Sequence, residues 1–539
     1  MIVYTPAAQR QLSLFTTPFD NHLRSDNRWV RMEAVVPWDR MAKVFRSSMS
    51  SDQGRPSVDL RVVLGVLMVK HIEDLSDERA IEYVQENIYA QFFVGLSSFQ
   101  SEPVFVPHLL VTIRKRLSEQ GARQLNDLLI EAAVEAKAIK HRKKPGDRTP
   151  PPPTDPPSPV VDKEEVAPPR GTQSQPMPPT NRGTFIVDAT VAPVHIAYPT
   201  DSKLLNDCRL ITEGLIDELY EADKSLWLRK PRTYRRTAQR RYVSFSKKRR
   251  KTKKDIRRVV GRQLNCVRRN IDTIGSMLDR LAGSDQLCPW SFTRWRQFWI
   301  VQEIYRQQRL MHTDRRRRVD DRIVSVGQPH VRPIKRGKGG MKNTEFGPKI
   351  NASVTEGFVR ADQIDFNAFN EANHLIAQVE AFKRRFGHYP GWVLADQIYW
   401  TRENRKWLKE RNIHIGGVPL GPKLRRSKYE KEKARKRNNQ RSEIEGKFGE
   451  AKERYGMDQL YTRLPQTTKA EVSLIFLAMN LIRMVKVSLS TQNGTIRVAC
   501  QHLLKNICQE INRIAAGTQS TGRQAALSRS YRLAQPKTF

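Results

Sequence analysis

Cysteine is scarce in this chain. Five residues, Cys208, Cys266, Cys288, Cys500 and Cys508, are scattered through 539 positions without a Cys-x-x-Cys pair. That spacing indicates neither a zinc site nor a disulfide framework, and the chain reads as reduced and intracellular. Long apolar runs are missing too, since none reaches the ~18–20 residues needed to span a bilayer. The opening Met1-Ile-Val-Tyr-Thr-Pro6 lacks a charged segment followed by an apolar one, so no secretory signal is expected. The expectation is a soluble cytoplasmic protein with no membrane partner. No internal repeat of about 20–50 residues is apparent.

Acidic residues are in short supply: 56 Asp and Glu stand against 95 Lys and Arg, a formal charge of +39. Such an excess favours a polyanionic partner. Nucleic acid is the obvious one, because each neutralised phosphate releases counterions and adds salt-sensitive affinity. A ribosome-associated or membrane-surface protein would show the same bulk charge, so charge alone does not choose. The length allows two to four domains.

Residues from about 25 to 135 read as helical. Ser57 is placed to cap a helix over 58–72 in which Leu60, Val63, Leu64, Leu67 and His71 share a face, and Ser76 to cap a second, acid-rich helix. The pair resembles a helix-turn-helix, available for DNA docking, packing or dimerisation. Prolines from Pro150 to Pro179 mark an extended linker over about 141–182. The apolar run Thr184-Phe-Ile-Val-Asp188 then reads as a buried strand ending in a carboxylate. From about 204 to 328 the composition turns to basic helices. Strands follow around the turn Glu356-Gly357, then a helix over about 367–386, a strand Gly391-Trp-Val-Leu-Ala-Asp396 that again ends in an acid, a helix over 401–411 and a strand over 413–415.

Beyond a basic loop at Lys423-Leu-Arg-Arg426, the spacing of Arg441, Glu445 and Lys452 at four and then seven residues returns all three to one helical face. By itself this stripe fits a solvated helix surface equally well. Neighbouring strands of one sheet can bring Asp188 and Asp396 together. Two divalent cations ~3.5–4 Å apart, held by such carboxylates, can activate an attacking oxygen and stabilise the leaving oxygen of a phosphodiester.

These residues resemble the DDE transposases of bacterial insertion sequences, in the IS-five branch of the IS-four/IS-five group. That branch carries a Tyr-x2-Arg-x3-Glu-x6-Lys signature, which Arg441, Glu445 and Lys452 match at the right spacing, with Asn438 where the Tyr is expected. The resemblance extends to Asp188-Ala-Thr-Val-Ala-Pro193 with Tyr198-Pro-Thr-Asp201, to Arg332-Pro-Ile-Lys-Arg-Gly337-Lys before Phe346-Gly-Pro-Lys349, to Ala395-Asp396-Gln-Ile-Tyr399, and to the helical region 62–96.

The resemblance implies an α/β ribonuclease H-like catalytic core with an N-terminal helical domain and a long basic helical insertion. The expected organisation is a helical domain for DNA binding or dimerisation (1–140), the Pro-rich linker (141–182), the first core strand with Asp188 (183–203), the insertion (204–330), the rest of the core (331–485) and a polar basic tail (486–539). It also implies that Asp188, Asp396 and Glu445 ligate two Mg2+ or Mn2+ ions. Water then cuts at the element's terminal inverted repeats and the freed 3′-hydroxyl attacks target DNA, with a homodimer on DNA and a nucleoid location. Arg441 and Lys452 would hold phosphates. Asn438 would offer less stacking surface than the family Tyr.

Lys349 is a further candidate for phosphate contact, and Tyr234, Tyr242, Phe245, Arg249 and Arg250 combine cations with rings able to grip DNA. His195, Glu443, Glu450, Asp201, Asp362 and Asp365 are read as structural. The alternatives to an active transposase are an inactive relative that binds terminal repeats as a repressor and a non-transposing metal-dependent nuclease.

Overall fold

The computed structural model describes residues 23–47, 58–142, 181–284, 287–316, 318–335, 344–416 and 428–487. Ser57, most of the Pro-rich stretch, residues 336–343, Arg317, the basic loop around Lys423 and the tail beyond 487 lie outside the described residues. The chain divides into compact units at residues 1–480 and 481–539, and in the second only the helical residues 481–487 are described.

The N-terminal part is helical: α1 (Arg28–Glu33), α2 (Trp38–Arg46), α3 (Leu60–Ile72), α4 (Asp77–Glu86), α5 (Ile88–Val94) and α6 (His108–Arg142), the last broken at Ser118. Helix α3 starts at Leu60, two residues later than the sequence predicts, because Asp59 supplies the cap and accepts the Arg61 N–H at 2.8 Å. Leu, Val and Met surround this helix, so it is buried on nearly every side instead of on one face. The buried Arg61 is held by Glu33 at 2.7 Å and lies over the Trp38 ring. Of the helix-turn-helix-like pair, α3 is therefore a core helix, and only α4, capped by Ser76, offers an exposed side.

A mixed five-stranded sheet forms the second part. Its strands are β1 (Thr184–Val191), β4 (Lys349–Thr355), β5 (Phe358–Asp365), β6 (Trp392–Leu394) and β7 (His414–Gly416), in the order β5-β4-β1-β6-β7, while β2 (Pro333–Lys335) and β3 (Thr344–Phe346) form a separate ribbon. The hairpin β4–β5 turns at Glu356 and Gly357, both at positive φ, as a two-residue turn of the primed type demands. Helices α11 (Leu375–Phe386) and α12 (Arg402–Glu410) cover one face of the sheet. Helix α13 (Lys428–Arg454) and a helix over 465–480 cover the other. The predicted helix over 367–386 begins only at Leu375, since a 3-10 turn, Glu371–His374, precedes it.

Between β1 and β2 the chain forms α7 (Asp201–Ala222), α8 (Arg235–Ser246), α9 (Lys253–Ala282) and α10 (Phe292–Thr313). Their apolar stripes meet in two clusters, one around Leu215, Ile216, Ile274 and Phe298 and one around Cys208, Val267, Val301 and Ile304. The fully buried Arg209 is neutralised by Glu213 at 2.6 and 2.8 Å and also donates to Asn206 and Gln239. Among the described residues, no helix is long and apolar enough to cross a membrane.

The exposed edge of the sheet is closed by side-chain amides. Asn480 Oδ1 accepts the Val359 N–H of β5 at 2.9 Å and its Nδ2 donates to the Val359 carbonyl at 2.7 Å, copying what a neighbouring strand would do. Asn126 of α6 donates to the same carbonyl at 3.1 Å and accepts from Asn480 at 2.7 Å, so the N-terminal helices reach β5 through a closed polar network. Asn480→Leu keeps the branched shape but leaves the Val359 N–H and the Asn126 Oδ1 without their partners. Urea unfolding should show a loss of about 3 kcal/mol. A loss below about 0.5 kcal/mol would mean that water or another group completes the edge.

Candidate active site

Side-chain alternation decides where the carboxylates go. In β1, Phe185 and Val187 enter the core under α11 and α12, whereas Ile186 enters the core under α13. A period of two therefore puts Asp188 on the α13 side. Strand β6 runs parallel to β1, with Thr184 opposite Trp392 and Ile186 opposite Leu394. Two residues further along both chains, Asp396 stands level with Asp188. Val393 and Leu394 belong to the two opposite cores, so Asp396 emerges on the same face as Asp188.

Asp188 does not end its strand as the sequence predicts. Strand β4 pairs antiparallel with β1 as far as Val191, so the strand continues three residues past the carboxylate. What ends is β6, which stops at Leu394 because Asp396 leads into the 3-10 turn Gln397–Tyr399. Beyond Ile186 one side of β1 is uncovered, and Asp188 sits at that opening.

Helix α13 carries the third carboxylate over it. Ile444, Phe448 and Ala451 are buried at intervals of four and three, which fixes the roll of the helix against β1, β4, β6 and β7. Each large apolar anchor is worth about 1.5–3 kcal/mol of burial. Arg441 and Glu445 then fall on the flank that meets the strand ends. Arg441 Nη1 is 2.6 Å from Asp396 Oδ1 and its Nη2 is 3.0 Å from Glu445 Oε1. One guanidinium thus joins two of the three acids. Lys452, half-buried, continues the stripe, and Asn438 is exposed one turn before Arg441.

Asp188 is the electrostatically strained member, with its carboxyl pushed up to about 6. Burial is the main cause, and the negative charges of Asp396 and Glu371 add to it; the Ala189 N–H, 2.8 Å from Oδ1, and Arg441 oppose it. Glu371 carries no signal in the sequence, standing in an irregular turn outside any motif. Lys349 holds it at 2.6 Å and also donates to the Phe369 carbonyl at 2.8 Å, so this lysine is engaged within the protein. Tyr399 is buried nearby and donates to Asn351 at 2.9 Å.

The other sequence candidates lie elsewhere in the polar network. His195 stacks on Tyr461 and bonds Gln459 at 2.9 Å. Asp201 holds Arg322 and Gln308, Asp362 holds Arg360 and Gln378, and Asp365 accepts the Asn367 N–H. Glu450 pairs with Lys447, and Glu443 is exposed. In the insertion, Tyr234 opens α8 at a φ of 52° with Arg269 over its ring. Tyr242 is half-buried with its phenol raised by burial, Phe245 is buried, and Arg249 and Arg250 are exposed.

Three carboxylates form a hard oxygen donor set that suits a magnesium-like cation. Among the described residues, no three His, Cys, Asp or Glu side chains converge closely enough to hold a metal ion. Asp396 and Glu445 instead face Arg441. The donor chemistry fits, and closing the set requires Arg441 to release its two partners.

Residues 393–482 match the family model described as a transposase DDE domain, and residues 17–116 match one described as a transposase domain. The first match includes Asp396, Arg441, Glu445 and Lys452; Asp188 precedes it. A Rhizobium meliloti protein described as uncharacterized protein ORF8 in the nfe locus is 29% identical over 191 residues, 35% of this chain and 73% of that protein. No solved structure matches the chain. The DDE domain implies a ribonuclease H-like core, and proteins with it generally use divalent metal ions and act on DNA. The two matched domains support a DDE transposase, a protein of mobile elements.

Proposed function

We propose that this chain is a transposase of the IS-five branch that cuts the ends of its element and joins the freed 3′-hydroxyl to target DNA, with Asp188, Asp396 and Glu445 as the catalytic carboxylates. The observation that carries the reading is the level placement of Asp188 and Asp396 under α13, with Arg441 bridging Asp396 to Glu445. Two Mg2+ or Mn2+ ions, held by the three carboxylates, would supply the charge that activates the attacking oxygen and stabilises the leaving one.

The chain's own residues have separate tasks. The sheet holds Asp188, the end of β6 presents Asp396, and Glu445, half exposed on a helix, adjusts to complete the set. Arg441, once released, turns its planar fork to a phosphate, and Lys452 meets a flanking phosphate. In the first step water attacks phosphorus and the strand opens with a free 3′-hydroxyl. In the second that hydroxyl attacks a target phosphodiester and a target oxygen leaves. Neither step needs a protein nucleophile. Two ends must be held together for joining, so a homodimer on DNA, associated with the nucleoid, is the working form. Tyr234, Tyr242, Arg249 and Arg250 are DNA contacts in this reading, Lys349 becomes one only on leaving Glu371, and Asn438 makes a hydrogen bond where the related signature has a ring.

A second reading, an end-binding repressor, draws on one observation: Arg441 occupies two acids at once. Strand transfer on the DNA flanking the gene separates the two. Joined products with Mg2+ or Mn2+ support the enzyme, and specific binding without cutting or joining supports the repressor. In the active protein, Asp188→Asn, Asp396→Asn and Glu445→Gln should each abolish cutting and spare end binding. Continued cutting by any one removes that residue from the site. Lys452→Ala should lower the salt slope of DNA binding by about one unit, and an unchanged slope would return Lys452 to a surface role.

Asp188 also predicts a pH effect on stability. Its folded pKa, about 6, lies above the ordinary aspartate value of about 3.9, so the folded state binds the proton more tightly. The stabilising contribution is complete below about pH 4 and disappears as the pH rises to about 6. In metal-free protein at pH 7.5, Asp188→Asn should therefore raise the melting temperature, and the gain should shrink on acidification toward pH 4. A gain independent of pH would show that charge at Asp188 is not its cause.

A further inference from the structure

The second feature that stands out lies in the insertion, outside the carboxylate site and on residues other than Tyr234, Tyr242, Arg249 and Arg250. Helices α9 and α10 enclose an open groove of about 580 Å3 whose charged lining is entirely basic: Lys254, Arg257, Arg258, Arg262, Arg268 and Arg309. All six are exposed, and among the described residues none makes an ion pair. The spacing along α9 returns its five cations to one side of the helix. Gly261 sits among them, where a Cβ would lie 3.2 Å from His312 Nε2, so the glycine lets α10 approach closely.

Several acids of the insertion are used elsewhere. Asp217 is taken by Lys230 and Arg235, Glu218 by Arg294, Glu303 by Arg306, Asp255 by Lys248 and Glu213 by Arg209. Other cations of the insertion, Arg249 and Arg250 among them, are exposed as well, but here six line one concavity with no acid among them. Like charges at i and i+4, such as Lys254 with Arg258 and Arg258 with Arg262, destabilise a helix by about 0.2–0.5 kcal/mol each. A polyanion laid in the groove removes that repulsion.

We propose that the α9–α10 groove is a docking site for the sugar–phosphate backbone of duplex DNA, outside the carboxylate site. The inference rests on the reading of DNA as the partner and adds a further place of contact with it. From Lys254 to Arg268 the helix rises about 21 Å, a length over which one DNA strand carries about six phosphates. The groove offers six cations and no deep apolar wall, which suits the backbone and not the reading of bases.

The test uses the full chain and two duplex probes, one of random sequence and one from the DNA flanking the gene. The variant Arg257→Gln/Arg258→Gln/Arg262→Gln/Arg309→Gln is compared with a control that loses equal charge on α11 and α12, Arg384→Gln/Arg402→Gln/Lys406→Gln/Lys409→Gln. The groove variant should lower the salt slope of binding to both probes by about three, and the control by less than one. An unchanged slope in the groove variant, or equal losses in both, overturns the proposal. If the fourfold variant does not fold, Arg262→Gln and Arg309→Gln singly should each remove about one unit of slope. Cutting by the unaltered protein is scored separately. Its absence sinks the transposase reading and leaves the groove result standing, whereas normal cutting with no groove effect sinks only the groove.

Discussion

The candidate site depends on the parallel pairing of β1 with the short strand β6. Three residue pairs suffice to lock the register, and with it the relative height of two acids far apart in the chain. A slip of one residue would turn Asp396 to the opposite face, into the core of Phe185, Val187 and Leu375. The same two-residue period that buries Ile186 and Leu394 under α13 therefore delivers both carboxylates to α13. Helix α13 is held in turn by Ile444, Phe448 and Ala451, so apolar packing on one side of the helix sets where Arg441 and Glu445 lie on the other.

Much of this was legible in the chain. The helical N-terminal region, the basic helical segment between the first two sheet strands, the turn at Glu356-Gly357 and the strand–acid pattern at 391–396 all follow from local chemistry, because apolar periodicity, turn residues and charge runs act over a few positions. The Arg441, Glu445 and Lys452 stripe was legible for the same reason. Less legible was anything decided by a neighbour. Asp188 looks like a strand end because its apolar run stops there, yet β4 holds the backbone to Val191. Helix α3 looks one-faced from a few leucines, yet it is covered on nearly every side. Glu371 and Lys349 pair across an irregular turn, which no spacing announces.

The distribution of charge separates two basic systems that composition merges into one number. In the sheet region the important cation is Arg441, which faces carboxylates on both sides and is neutralised by them. In the insertion Asp217, Glu218 and Glu303 are paired with other cations, and the α9–α10 groove keeps its charge open. A formal charge of +39 is consistent with both situations and distinguishes neither.

That separation bears on how a DNA-free protein keeps its acids stable. Burial raises Asp188, the charge of Asp396 adds to it, and Arg441 opposes both without cancelling them. The guanidinium is the residue best suited to the stopgap, because its fork can hold Asp396 and Glu445 together without losing its charge. The same fork is matched to phosphate oxygens. On the proposed reading, cations entering among the carboxylates and a phosphate arriving beside them are favourable together: the cations take over the acids that Arg441 held, and the phosphate takes over Arg441. Neither exchange is as favourable alone, since cations without DNA would leave Arg441 beside unshielded positive charge, and DNA without cations would face three acids. On that reading the double salt bridge would couple occupancy of the acids to the presence of substrate through elementary charge balance.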